Sequence, residues 1–213
     1  DKSGAVKMTF QPGVYQWEYN GGSFLCSFRP SGVFYCEQFP AQAQWSCSGS
    51  TVLVDWKKFG KYQFDLATLN GGNGSIRGSV VGDASNWRAI KFIRDFNPLE
   101  SLLLGEYGFG SVWDFAWEKG SFEVEFQCDG YNHFVCKSFP AHSHWQCQDD
   151  LVRISWAQYG DYELRHSGDV QLAGCKAGQP DNWRRATLLR SLSSAAAAHS
   201  HDHSHHHDDK CGH

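Results

Sequence analysis

Phe139-Pro140-Ala141-His142-Ser143-His144-Trp145 has a counterpart one hundred positions earlier, Phe39-Pro40-Ala41-Gln42-Ala43-Gln44-Trp45. The frame of Phe, Pro, Ala and Trp is kept and two histidines stand where the first copy has glutamines. A frame that repeats reads as fold, and the positions that differ are where function is to be sought. The match extends outward in both directions. Tyr15, Trp17 and Tyr19 answer to Trp113, Phe115 and Trp117, and Phe28 answers to Phe126. After an insertion of two residues in the second copy, the match resumes with Cys36/Cys136, Cys47/Cys147, Trp56/Trp156 and Tyr62/Tyr162. It closes on Gly78/Gly174, Asn86-Trp87-Arg88/Asn182-Trp183-Arg184 and Arg94/Arg190. The chain is therefore a tandem duplication of a unit of roughly 80 to 90 residues.

Within each unit the apolar period is two. Val52, Val54 and Trp56 alternate with Leu53, Asp55 and Lys57, and Val152, Ile154 and Trp156 alternate with Arg153, Ser155 and Ala157. That period belongs to strands with one face on a core. Turn chemistry interrupts it at intervals of about ten residues, at Asn20-Gly21-Gly22, Pro30-Ser31-Gly32, Ser48-Gly49-Ser50, Asp129-Gly130 and Tyr159-Gly160-Asp161. The expected fold class is all-β: two tandem antiparallel meanders or barrel-like repeats of seven or eight strands each, packed as a pseudo-symmetric pair. The expected division is a first repeat over 1–95, a linker over 96–108 with a short helical turn from Pro98 to a stop at Gly105, a second repeat over 109–192, and a disordered His-rich tail over 193–213.

Composition narrows the function classes. Charged residues make up 20% of the 213 and the net charge is −4, so there is no basic footprint for nucleic acid. No apolar run approaches the ~18 residues of a membrane span. Nine Trp, 22 Gly and one Met favour short strands and tight turns over helices. Cys36 and Cys47 recur as Cys136 and Cys147, and each pair reads either as a bridge between neighbouring strands or as small buried thiols. Phosphate-binding glycine loops, the Gly-x-Ser-x-Gly elbow and His-Glu-x-x-His are all missing.

The repeat resembles the calycin-type up-and-down barrels, the lipocalins and their relatives. The resemblance is carried by Gly13-Val14-Tyr15-Gln16-Trp17, the meander of Gly-turned strands, and an Arg on each last strand, Arg94 and Arg190. It implies a ligand-holding barrel, closed at one end by that Arg packed over an early Trp. The family's Gly-x-Trp is here Gly-x-Tyr in the first unit and absent as such from the second.

Three sets of residues are candidates for chemistry. On a strand, His142 and His144 project from one face with backbones about 7 Å apart, a spacing from which two imidazoles can hold Zn²⁺ or another transition metal, or act as an acid/base pair. His133, Cys136, Cys147 and His166 are the further ligands within reach of sequence reasoning. The plainer alternative is that these are polar, solvent-facing positions, as Gln42 and Gln44 suggest. The tail holds seven of the eleven histidines, with His201, His203, His205, His206 and His207 as metal ligands or as a solubilising terminus. Trp56, Trp156, Tyr62 and Tyr162 line an aromatic cavity for a small, partly apolar molecule, or else are core residues. Arg88 and Arg184, in the repeated Asn-Trp-Arg, anchor a ligand's carboxylate or phosphate, or else belong to a turn with a stacked Trp–Arg pair that closes each barrel. The favoured reading is a non-catalytic binding protein for such a molecule or a protein partner, with a metal-binding tail. Its alternatives are an enzyme of hydrolysis, hydration or isomerisation using His142 and His144, and a duplicated scaffold.

Overall fold

The structure, a computed structural model, describes residues 9–71 and 73–196. Sixteen strands form two closed barrels. The first is built in chain order from β1 (Gly13–Tyr19), β2 (Gly22–Phe28), β3 (Val33–Tyr35), β4 (Ala43–Ser48), β5 (Thr51–Asp55), β6 (Lys61–Asp65), β7 (Ser75–Val80) and β8 (Asp83–Arg94). The second runs through β9 (Gly110–Trp117), β10 (Gly120–Gln127), β11 (His133–Val135), β12 (Ser143–Gln148), β13 (Leu151–Ser155), β14 (Asp161–Gly168), β15 (Gln171–Lys176) and β16 (Gln179–Ser191). Every neighbouring pair is antiparallel. β1 closes on β8 and β9 on β16, so neither sheet has an edge strand, and the short strands β3 and β11 complete each circuit through two paired residues on either side.

The period-two residues point inward as expected. Val52, Val54, Val152 and Ile154 are fully buried, and Trp56 and Trp156 follow them at the strand ends. A small closed barrel must fill its own interior, and here aromatic rings do so. Trp17 is 1% exposed and its ring lies 4.9 to 5.5 Å from those of Tyr62, Trp56, Phe64 and Phe34. Phe115 takes its place in the second barrel, against Trp156, Tyr162 and Phe134. Each such edge-to-face pair adds about 0.5–1.5 kcal/mol to the burial of the rings themselves. The recurrence of the Phe-Pro-Ala frame also has a cause. The Phe39 carbonyl accepts the Trp56 indole N–H at 3.0 Å, and the Phe139 carbonyl accepts that of Trp156 at 3.1 Å, so the frame anchors one tryptophan of each core.

Between the barrels lies α1 (Pro98–Leu104), started by a capping box in which Asn97 accepts from the Glu100 N–H and Glu100 accepts from the Asn97 N–H. Gly105 stops it at φ 72°. Leu99, Leu103 and Leu104 enter the second core, and the Leu103 carbonyl accepts from Ser111 Oγ, which in turn accepts the indole N–H of Trp113. α1 thus covers one end of the second barrel. Among the described residues no helix is long and apolar enough to cross a membrane.

The seven described cysteines carry free thiols. Neither repeated pair is bridged; Cys36 and Cys136 are the small buried thiols expected, whereas Cys47 is exposed and Cys147 is half-buried. Tail residues His201, His203, His205, His206 and His207 lie outside the described residues.

Gly78 and Gly174, matched in the repeat, are places of close backbone approach. A Cβ on Gly174 would lie 1.8 Å from the Glu163 carbonyl oxygen, and one on Gly78 would lie 1.9 Å from that of Gln63. Gly174→Ala is expected to cost at least about 2 kcal/mol, because the strands would have to part; urea unfolding checks this, and an unchanged midpoint would contradict it.

Candidate metal centre

Register brings a third histidine to the two that flank Ser143. β11 pairs with β12 so that His133 lies directly opposite His144. His142 sits one residue ahead of β12 instead of on it, yet its Nε2 is 3.0 Å from the Nε2 of His144. Ser143 between them is buried, so the two imidazoles share the outer face. The ligand atoms of His133, His142 and His144 all lie within 4.8 Å of one another. In the first barrel Val33 and Gln44 occupy the corresponding ladder positions, and no imidazole stands there.

Two of the rings are oriented from behind. The Nδ1–H of His133 donates to the Asp129 carboxylate at 2.5 Å, and the Nδ1–H of His144 donates to the Tyr131 carbonyl at 2.9 Å. Both acceptors lack a proton to give, so each neutral ring carries its lone pair on Nε2. Burial pushes the Asp129 carboxyl upward, but hydrogen bonds from the His133 ring and from the His133 and Tyr131 N–H groups outweigh it and hold the carboxyl below the usual range.

The loop that supplies these acceptors is the two-residue insertion seen in the repeat alignment. Residues 127–132 replace the shorter turn 29–32, with the Trp145 indole donating to Gln127 O as that of Trp45 donates to Arg29 O. The inserted stretch also meets the first barrel. The Arg29 guanidinium, 4% exposed, donates to the Asp129 carbonyl at 3.0 Å and to Asn132 Oδ1 at 2.7 Å, and lies over the rings of Tyr35 and Trp145. A buried cation is tolerated where its donors are matched and aromatic faces surround it.

The other sequence candidates lie elsewhere. Cys136 is in the core, Cys147 packs against it, and burial raises both thiols. His166 is exposed on β14 with its ring facing the Asp169 carbonyl. Trp56, Trp156, Tyr62 and Tyr162 are engaged in the barrel cores. Arg88 lies over Tyr62, Arg184 over Tyr162 and Trp117, and Arg185 over Trp183. A Trp–Arg stack is thus present in the second barrel, made on Trp183 by the residue after Asn-Trp-Arg and on Trp117 by Arg184, while Arg88 of the first barrel stacks on a tyrosine. Arg94 pairs with Glu100 and Arg190 with Glu123. A cleft of about 130 Å³ where the barrels meet is lined by Arg29, Tyr35, Arg94 and Trp145 among others, and a second of about 360 Å³ on the first barrel is lined by Trp45, Leu53, Tyr62 and Val81 among others. The second alone of these two reaches the roughly 300 Å³ that drug-sized ligands need.

No protein-family profile matches this sequence, and neither curated proteins nor solved structures match it. The functional reading therefore stands on the site itself.

Arg29→Met removes both donors to the inserted loop and leaves Asn132 Oδ1 and the Asp129 carbonyl without them. A loss of about 2–4 kcal/mol is expected in urea unfolding of the chain; a change within 0.5 kcal/mol, the range of roughly neutral surface changes, would contradict the role given to Arg29.

Proposed function

We propose that this protein binds one divalent transition-metal ion, zinc foremost, on His133, His142 and His144 of its second barrel. The observation that carries the reading is the pair of hydrogen bonds behind the rings, from His133 to a carboxylate and from His144 to a backbone carbonyl. Outer acceptors of this kind fix the tautomer and orientation of metal-ligating imidazoles and raise their basicity. Three imidazoles suit Zn²⁺, Cu²⁺ and Ni²⁺ and do not suit Mg²⁺ or Ca²⁺. Without metal, neutral His142 donates from Nε2 to His144. Coordination through Nε2 requires that proton to move to Nδ1, and because acid protonates the lone pairs through which imidazoles bind, metal affinity falls as pH falls.

In this reading the aromatic residues Trp56, Trp156, Tyr62 and Tyr162 hold the cores together, and Arg88 and Arg184 close the barrel ends. The tail histidines His201, His203, His205, His206 and His207 raise the local concentration of ligand groups and pass ions to the folded site. Kinship with the calycin-type barrels rests on the eight-strand up-and-down closure of each repeat. A second reading follows from the ligand count: three protein ligands leave a position for water, as in zinc enzymes of hydrolysis and hydration.

The test is zinc titration of metal-free protein truncated after Ala198, beside the same protein carrying His142→Gln and His144→Gln, which copy the first barrel. One equivalent of zinc on the first and none on the second, with unchanged circular dichroism, is expected. Absence of stoichiometric zinc from the first would overturn the proposal. Hydrolysis of 4-nitrophenyl acetate by the loaded protein above the level of the double variant would add the enzymatic reading, and equal rates would remove it.

A further inference from the structure

We propose that the metal site belongs to both barrels: Gln42 of the first barrel is a positioning residue that fixes the Asp129 carboxylate and, through it, the ring of His133. The proposal rests on the metal-binding reading above.

The Asp129 carboxylate is held on each oxygen. Oδ1 accepts the N–H groups of Tyr131 and His133 at 3.2 and 3.1 Å. Oδ2 accepts His133 Nδ1–H at 2.5 Å and, from the other barrel, the Gln42 side-chain N–H at 3.4 Å. The same amide takes hold of the loop a second time, since its Oε1 accepts the Gly130 N–H at 3.3 Å. The backbone beside it is in tight contact as well. A Cβ on Gly130 would stand 1.7 Å from the Ala41 carbonyl oxygen, so only glycine lets the loop come this close to the first barrel. Arg29 grips the loop from beneath through the Asp129 carbonyl and Asn132.

Gln42 and His142 are the same position of the repeat. In the second barrel that position supplies a ligand, and in the first it supplies the clamp on the carboxylate behind another ligand. The glutamine that sets the first copy apart is thus part of the site that it lacks. Because a partner hydrogen-bonded directly to a ligand commonly changes metal affinity by ~10- to 100-fold, and Gln42 holds such a partner at one remove, the first barrel tunes the second within the lower part of that range. Coupling of this sort is reciprocal, so metal on the three histidines also tightens the docking of the barrels.

Gln42 is exposed, so Gln42→Ala leaves the core intact. The probe is Zn²⁺ added to the full chain, followed by the side-chain ¹⁵N and ¹H resonances of His133 and His144, which report the folded site independently of the tail. In the unaltered chain, zinc should move both Nε2 resonances while the downfield Nδ1–H of His133 persists. In Gln42→Ala the affinity read at His133 should fall by about tenfold, with the His133 Nδ1–H shifted upfield or broadened. Gln42→Glu, which sets a like charge beside Asp129, should lower it further. Unchanged affinity and an unchanged Nδ1–H in Gln42→Ala would overturn the role of Gln42 while leaving the metal site standing. No zinc response at either histidine in the unaltered chain would overturn both.

Discussion

Closure of each eight-stranded sheet on itself, β1 against β8 and β9 against β16, is the constraint on which the rest of this protein depends. Once closed, a barrel of this size has an interior only as wide as its side chains. The interior must be filled, and rings that pack edge to face around Trp17 or Phe115 fill it. Filling assigns the inward positions to stability. Chemistry is left to outward positions and to the connections between strands, and the histidines lie there.

The two barrels then divide their tasks by small local changes. Two extra residues between β10 and β11 form a loop whose carboxylate and carbonyls stand behind His133 and His144. The first barrel lacks that loop, and with Val33, Gln42 and Gln44 it lacks the imidazoles too. What it contributes is a surface: Arg29 is buried against the loop, and Gln42 reaches over it. In the proposed reading, the contact between the two barrels supports one candidate site.

Much of the fold was legible in the sequence because it is local or repeated. Alternation gave the strands, Gly and Asn gave the turns, and the matched aromatic positions gave the core. Pro98 and Gly105 bounded α1 by the ordinary chemistry of helix ends. Half of the site was legible as well, since His142 and His144 differ from their counterparts and His133 was among the candidates. The choice of His133 over Cys136, Cys147 and His166 depended on strand register, which pairs 133 with 144 and turns Cys136 inward. The contacts of Arg29 and Gln42 join residues 87 to 103 positions apart, and no periodicity reports them. One signal was present and unused: the insertion in the repeat falls immediately before His133. The barrel-end stacking was expected within Asn-Trp-Arg; alternation turns Trp87 and Trp183 to the exposed face, where Arg185 lies over Trp183, and sends Arg88 over Tyr62 and Arg184 over Tyr162 and Trp117.

The measurement that tests the central claim most directly is X-ray absorption at the zinc edge of protein truncated after Ala198 and loaded with one equivalent of Zn²⁺. Three imidazole nitrogens at about 2.0 Å with no sulfur shell is the expected spectrum. A sulfur shell near 2.3 Å, or fewer than three imidazoles, would contradict a site made of His133, His142 and His144.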